Sequence, residues 1–121
     1  MAFGAILRAS IDDVLGADVP LLTSGAMTHR LAAFGERDID GPPLPEALAF
    51  REWMRERLEA GDRDALAGYR TQAPHAAWNH PTDEHLLPLF VAAGAGGWPA
   101  RCLHASWEWG MLAMDAWQFG D

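Results

Sequence analysis

The stretch from Glu46 to Ala60 constrains the fold of this chain more than any other part of the sequence. Its apolar residues recur at helical spacing, namely Ala47, Phe50, Met54 and Leu58. Charged residues occupy the opposite face, a loop rich in glycine and proline precedes the stretch, and Gly61 follows it. The sequence therefore predicts an amphipathic helix that ends at Gly61 and packs one face on a core.

The size and composition of the chain predict one globular domain over residues 1–121. Of its 121 residues, 50% are hydrophobic and 21% are charged, which is the balance of a folded protein. The only cysteine, Cys102, can form neither an internal disulfide nor a thiolate zinc site, so we expect a cytoplasmic protein. The apolar start, Met1 to Leu7, is too short for a membrane span and soon meets charged residues.

The charge pattern argues against nucleic acid and membrane partners. The net charge is -8, and all nine positive residues are arginine. Arginines alternate with acidic residues, as in Arg51, Glu52, Arg55 and Glu56, which indicates a solvated helix face. Because binding to phosphates requires clustered Lys and Arg, this acidic chain is expected to bind neither nucleic acid nor an anionic membrane surface.

Further elements follow from caps, periodicity and breakers. Helices are predicted for Phe3 to Leu15, Asp62 to Tyr69 and Thr82 to Gly94, with Pro88 kinking the last of them. A loop from Ala26 is expected to enter a short helix near Phe34, and residues 71–81 are expected to be irregular. Strands are predicted for Asp18 to Thr23, at a sheet edge because of Pro20, and as a pair between Arg101 and Phe119 joined near Gly110.

The chain has six tryptophans, four of them in its last third: Trp98, Trp107, Trp109 and Trp117. Packing in a core or interface is the simpler interpretation. An aromatic-lined pocket or an exposed subunit interface is the alternative.

His29 follows the first predicted strand and the Ser24–Gly25 break. Ligands of open α/β sheets bind beyond the carboxyl ends of the strands, so this position favours a functional histidine. A histidine on a surface loop is the alternative.

Three histidines recur every five residues: His75, His80 and His85. With Asp83 and Glu84 they could form a histidine and carboxylate set suited to Fe(II) or Zn(II), as in a small zinc hydrolase. In the alternative, the first two bond to loop carbonyls and the third packs at a helix start.

Three segments, in chain order, carry a family resemblance. They are LLTSGAMTHRL (Leu21 to Leu31), YRTQAPHAAWNHPTDEHLLPLFVAAGA (Tyr69 to Ala95) and LHASWEWGMLAMDAWQFG (Leu103 to Gly120). Together they resemble the histidine-bearing loop, the histidine segment and the closing segment of class III extradiol ring-cleavage dioxygenases of the DOPA 4,5-dioxygenase type. The resemblance covers only the C-terminal half of a typical member of that family.

This resemblance implies a fold and a reaction. The implied fold is α/β, a partial three-layer sandwich with a small mixed sheet flanked by helices. The implied reaction is Fe(II)-dependent extradiol cleavage of a catechol-type aromatic ring by O2, with Zn(II) as the alternative metal. The implied substrates are thus a small catechol-type aromatic and O2.

The resemblance also implies roles for particular residues. His85 resembles the C-terminal metal ligand of the family, and His29 resembles its catalytic acid and base near the substrate hydroxyl. Because His29 follows a predicted strand and His85 lies near a capped helix start, we expect the two side chains to converge at one end of the fold. His75, His80 and Ser24 are candidates for contacts with the substrate or for support of the ligands. Arg30 departs from the pattern, because the family has Asn there.

The other two metal histidines of the family lie in its N-terminal half, which has no counterpart in this chain. We therefore expect an incomplete metal site, and either a homo-oligomer or a partner chain that supplies the missing N-terminal half. An open strand edge and uncovered apolar surface would favour such pairing. The alternative function is a non-enzymatic remnant or a protein-interaction subunit derived from such an enzyme.

Overall fold

The structure is a computed structural model, and it describes residues 1–30 and 38–121. The helices of these residues are α1 (Ala2–Leu15), α2 (Pro45–Ala60), α3 (Arg63–Ala67), α4 (Tyr69–Gln72), α5 (Ala76–Asn79) and α6 (Leu87–Gly96). The strands are β1 (Ala100–His104), β2 (Trp107–Glu108), β3 (Leu112–Ala113) and β4 (Ala116–Phe119). The short helix expected near Phe34 lies outside the described residues.

Helix α2 forms the centre of the core, as its sequence predicts. Pro45 occupies the first turn, where its missing N–H is not needed, and Gly61 closes the helix in the left-handed conformation at φ 67°. The predicted apolar face is fully buried, and its larger side chains, Phe50, Met54 and Leu58, belong to one buried cluster with residues from α3, α4, α6 and the strands. The helix assignment is confirmed.

The cap at Asp62 is also confirmed, because its carboxylate accepts a hydrogen bond from the Ala65 backbone N–H at 3.1 Å. The helix that it starts is shorter than expected and ends at Ala67. Helices α4 and α5 then occupy part of the stretch that was expected to be irregular.

Helix α6 begins at Leu87, so the prediction of a helix start at Thr82 and of a kink at Pro88 is wrong. A helix through Pro88 would need the N–H that proline lacks. Residues 83–86 instead form a turn in which the Leu86 and Leu87 N–H groups both donate to the Asp83 carbonyl. Pro88 then falls in the first helical turn, where it is tolerated, and the Thr82 hydroxyl bonds the Glu84 carboxylate.

Helix α1 forms as predicted and packs tightly against α6. A Cβ on Gly4 would overlap the Val91 carbonyl oxygen, and a Cβ on Gly94 would overlap the Met1 carbonyl oxygen. Glycine at both positions therefore lets the two helix backbones approach each other.

The strand predicted from Asp18 to Thr23 is not formed, so that prediction is wrong. A strand requires a neighbouring strand, and none pairs with this segment within the described residues. Side-chain hydrogen bonds hold the segment instead. Arg8 Nη1 donates to the Val19 carbonyl at 2.6 Å, and Thr23 Oγ1 donates to the Pro88 carbonyl at 2.8 Å.

The C-terminal strands form one hairpin inside another. Strand β2 pairs with β3 and β1 pairs with β4, both antiparallel, so four short strands replace the expected two. The predicted turn at Gly110 is confirmed, with positive φ at Trp109 (53°) and Gly110 (65°), as in hairpin turns that match strand twist.

Helices and small antiparallel strand pairs make the architecture α/β, as predicted. The expected mixed sheet is corrected, because both strand pairs of the described residues are antiparallel. Antiparallel pairs need only short connections, whereas a parallel pair would require a long crossover between two strands. The partial three-layer sandwich stays a prediction.

Four tryptophans pack partly buried against the core: Trp53, Trp98, Trp107 and Trp117. The Trp98 Nε1–H donates to the Leu58 carbonyl at 3.1 Å, and the Arg63 guanidinium lies over its ring. Packing therefore accounts for these side chains. None of the helices in residues 1–30 and 38–121 is long and apolar enough to cross a membrane.

Candidate functional site

The segment from Gly25 to His29 lies directly against the turn that carries His85. The Ala26 N–H donates to the His85 carbonyl at 2.7 Å. A Cβ on Gly25 would overlap that same carbonyl oxygen, so only glycine permits the approach. This backbone contact brings together two histidines that are far apart in sequence.

Thr28 anchors the same segment to the C-terminal hairpin. Its side chain is fully buried. Its hydroxyl donates to the Met111 carbonyl at 2.5 Å and accepts from the Ala113 N–H at 2.8 Å. The residue before His29 is therefore fixed from the opposite side of the segment.

The rings of His29 and His85 stack face to face. Their centroids are 3.6 Å apart, and their planes are inclined by 17°. The His85 side chain is 44% exposed, and its Nε2 lies 3.6 Å from a Glu84 carboxylate oxygen. The expected convergence of these two histidines is present, and it puts two imidazoles and one carboxylate at a solvent-accessible place.

Electrostatics favour a neutral His29 beside an ionised Glu84. Burial, and then the neighbouring His85, lower the pKa of His29 below its ordinary value. Hydrogen bonds from Thr82 and from its own backbone N–H lower the pKa of Glu84. At neutral pH, His29 therefore presents an unprotonated ring nitrogen that can accept a proton.

His80 lies behind this pair and has no exposed surface. Its Nε2 is 2.8 Å from the Met27 carbonyl oxygen. Burial lowers the pKa of His80, against the opposing effect of the hydrogen bond to Met27. His80 therefore contacts the backbone of the His29 segment.

His75 does not join the pair. It is exposed at the start of α5 in the left-handed conformation, with φ 55°. Its imidazole has no hydrogen bond, ion pair or ring contact among the described residues, and its carbonyl accepts from the Asn79 N–H. Arg30 lies over the Trp78 ring at 5.3 Å.

A cleft of about 240 Å³ opens beside His85. Ser24 lies in its wall together with Asp115 and Trp117. The Asp115 side chain is 2% exposed and pairs with the buried Arg51 at 3.1 Å, while Trp117 Nε1 lies 3.4 Å from it. Asp115 was not predicted as a site residue, although it lies within the segment Leu103 to Gly120 that carries the resemblance.

The donor types at the stacked pair suit a metal, but the donors do not converge on one point. Fe(II) sites of the common type use two histidines and one carboxylate with open positions. Histidine, cysteine and acidic side chains do not gather into a metal-binding group of three or more in the described part of the chain. These residues alone therefore do not fit a complete Fe(II) or Zn(II) site.

The same finding contradicts the alternative zinc site on His75, His80 and His85. His80 is buried with its Nε2 bonded to a carbonyl, and His75 points to solvent without joining it. The five-residue spacing does not bring the three rings together, because helix α5 and the turn after it separate them.

Comparison with known proteins gives relatives of one kind. The chain is 33% identical over 103 residues to the "4,5-DOPA dioxygenase extradiol" of Beta vulgaris, covering 84% of this chain and 38% of that protein. It is 35% identical over 95 residues to the protein of the same name from Mirabilis jalapa, covering 73% and 36%. The Portulaca grandiflora protein of that name is 35% identical over 79 residues, covering 62% and 29%. No family model matches the chain.

A solved structure shares the fold. An uncharacterized protein from Escherichia coli K12 superposes with a TM-score of 0.79 at 28% identity, covering 98% of this chain and 48% of that one. The chain therefore spans about half the length of this structure, and less than two fifths of the curated relatives.

These findings confirm the resemblance seen in the sequence. The chain is related to the class III extradiol dioxygenases. Its curated relatives are the enzymes of the 4,5-DOPA type, which it matches over part of their length. The names of these relatives describe oxidoreductases.

Proposed function

We propose that this chain carries the histidine-bearing part of an Fe(II)-dependent extradiol dioxygenase that cleaves a catechol-type aromatic ring with O2. The stacked His29–His85 pair carries the proposal. Two imidazoles from distant segments meet there at 3.6 Å beside an open cleft. The names of the relatives supply the reaction class.

The proposal gives the two histidines different tasks. His85 is exposed enough to bind a metal ion from solvent, and Glu84 lies beside it. His29 is half-buried, and its lowered pKa leaves it neutral. A neutral imidazole can take the proton of a catechol hydroxyl and later return one to the product. We therefore assign His85 as a metal ligand and His29 as the acid and base.

The cleft beside His85 is the proposed place for the aromatic ring. Its wall combines apolar side chains with a few polar groups, including Ser24, as small-molecule sites do. Ser24 is exposed there and its hydroxyl can bond a substrate oxygen. His80 is proposed to act through its contact with the Met27 carbonyl, whereas His75 is exposed away from the stacked pair and is given no role in this site.

The metal site is proposed to be completed by residues beyond those described. Fe(II), or Zn(II) in its place, needs further protein ligands. They would come from a second copy of the chain, from a partner chain or from the rest of a longer polypeptide. In each case His85 supplies one ligand, and the missing ligands decide whether the ion is held.

A chimera tests these roles in a whole enzyme. This chain replaces the matching region of the Beta vulgaris relative, and the product is given Fe(II), a catechol and then O2. We expect ring-opened product, its loss in His85→Ala and a slower reaction in His29→Gln. His104→Ala is the matched control, because His104 is exposed and its imidazole bonds Ser106 alone among the described residues. If the His85→Ala chimera turned over the catechol as fast as the chimera with His85, the assignment of His85 as a metal ligand would be wrong.

Fe(II) titration of the chain alone tests the incomplete site. Losing a supporting residue around a metal costs about 10–100-fold in affinity, and losing direct ligands costs more. We expect weak binding by the isolated chain that His85→Ala weakens further. Tight binding of one Fe(II) per chain, followed by turnover, would show that the site is complete.

An interaction subunit is the second candidate function, favoured by exposed apolar side chains around α1. Phe3 is 64% exposed, Ile6 66%, Val14 77% and Leu22 93%. Phe3, Ile6 and Val14 share one face by helical spacing, and a contiguous apolar face of this kind favours association. This second proposal therefore expects a homo-oligomer or a complex.

Light scattering tests the association. We expect a mass above that of the 13.2 kDa chain, and a monomer for Ile6→Glu. Ala5→Glu is the control, because Ala5 is exposed and lies on the side of α1 opposite Phe3 and Val14. A monomeric wild type that binds no hydrophobic dye would count against this function.

A further inference from the structure

His80 offers one fixed hydrogen-bond donor inside the protein. A carbonyl oxygen only accepts hydrogen bonds, so the 2.8 Å contact with Met27 places a proton on His80 Nε2. Nδ1 is buried and has no hydrogen-bond partner among the described residues. The His80 ring is therefore neutral and protonated at Nε2, because any form with a proton on Nδ1 would bury an N–H group without an acceptor.

The ring of His80 is held in place by its neighbours. The His80 N–H donates to the Ala76 carbonyl at 2.8 Å, and Arg70 Nη1 donates to the His80 carbonyl at 3.1 Å. The Phe50 ring lies against the imidazole, with centroids 5.4 Å apart. The donor therefore has little freedom to move.

The Met27 carbonyl lies only two residues before His29. The His29 N–H in turn donates to the Asn79 carbonyl at 3.1 Å. Hydrogen bonds thus join residues 27 and 29 to the adjacent residues 79 and 80. These two hydrogen bonds fix both the position and the direction of the backbone that carries the His29 ring.

We propose that His80 is a positioning residue, which sets the His29 ring against His85 by holding the Met27 carbonyl. It rests on the proposed function only in treating His29 as the reacting group. Its effect is on geometry, because reacting groups displaced by about 1 Å can lose about 100-fold in rate.

Two substitutions of similar size separate positioning from general packing. In His80→Gln, the side-chain amide nitrogen can reach the place of Nε2 and donate to Met27. In His80→Asn, the amide ends near the place of Nδ1 and does not reach. Both variants remove the ring and its contact with Phe50, so only the reach of the donor differs.

The readouts are a nuclear Overhauser effect between the His29 and His85 ring protons, and the amide exchange rate of His29. We expect wild type and His80→Gln to keep the ring contact. In His80→Asn we expect it to disappear, and the His29 amide to exchange at least about tenfold faster relative to the Met54 amide, which reports global unfolding. Equal effects in both variants, or equal acceleration of the Met54 amide, would overturn the proposal.

Nitrogen shifts of the wild-type His80 ring give a test that needs no variant. The proposal requires a proton on Nε2 and none on Nδ1 throughout the range from pH 6 to 8. A ring protonated at Nδ1 would refute it even if a variant failed to fold. Because no metal, catechol or turnover enters these measurements, the positioning role and the proposed function can fail separately.

Discussion

Replacing Thr28 by Val tests how strongly the site segment is anchored to the hairpin. Thr28 is fully buried, and its hydroxyl bridges the Met111 carbonyl and the Ala113 N–H. Val has nearly the same shape, so the substitution removes the two hydrogen bonds without opening a cavity. The adjacent His29 makes this anchor part of the site.

The expected loss follows from the two partners left behind. Met111 is fully buried and Ala113 is 5% exposed, so water does not readily replace the lost hydroxyl. A buried polar group without a partner costs about 1–3 kcal/mol, and two such groups give about 2–6 kcal/mol. Thr28→Ser keeps the hydroxyl and loses one methyl, for which we expect a loss near 1 kcal/mol.

Urea unfolding measures these differences. With a slope of about 1–3 kcal/mol/M for a small protein, the midpoint of Thr28→Val should fall by about 0.7 M or more. Thr71→Val is the matched control, because the Thr71 hydroxyl bonds Gly68 at an exposed position; its change should stay within about 0.5 kcal/mol. A Thr28→Val variant within about 0.5 kcal/mol of wild type would show that the anchor is unimportant.

Three further perturbations follow from other parts of the structure. Gly4→Ala should lower the free energy of unfolding, measured in urea, by about 1–3 kcal/mol, because the new Cβ would overlap the Val91 carbonyl oxygen. At an uncrowded helix position the same substitution would instead stabilise the protein by about 1 kcal/mol. The pKa values of His29 and His80 are lowered in the folded state, so below about pH 6.5 the unfolded chain binds more protons than the folded chain. The free energy of unfolding, and with it the urea midpoint, should therefore fall from pH 7 to pH 5.5, and His80 contributes no more than about 1.4 kcal/mol per pH unit to this fall. An unchanged midpoint over this range would contradict the lowered pKa values. Arg51→Met and Asp115→Asn should each cost about 3–5 kcal/mol and the double variant less than their sum, whereas an additive cycle would show no coupling.

The sequence predicted best the features that depend on neighbouring residues. Helix α2 followed from its apolar periodicity, and the caps at Asp62 and Gly61 followed from residue types beside it. The turn at Gly110 followed from glycine's freedom at positive φ. These signals are local and need no contact from a distant segment. The cap predicted at Thr82 was also local, but Pro88 prevents a helix from starting there.

Features that join distant segments were not predicted from the residues. The Arg51–Asp115 pair spans 64 residues, and the bond from Thr28 to Met111 spans 83. The segment from Asp18 to Thr23 has strand-forming residues, but its state depends on a neighbouring strand. The approach of His29 to His85 was expected from a strand before His29 and a capped helix start at His85, but neither element forms as predicted. A backbone hydrogen bond from Ala26 to His85 joins the two segments instead.

The site separates two requirements of a metal enzyme, the placement of its histidines and the number of its ligands. The placement of the histidines depends on this chain alone, because the hydrogen bonds from Ala26, Thr28 and His29 all have their partners among its described residues. Ligand number is not met by these residues, which gather no group of three. If ligand number alone limits the chain, adding the missing ligands should restore metal binding without moving the His29–His85 pair. The ring contact should then be the same in the isolated chain and in a metal-binding chimera. A pair that forms only in the chimera would show that placement also depends on the added part.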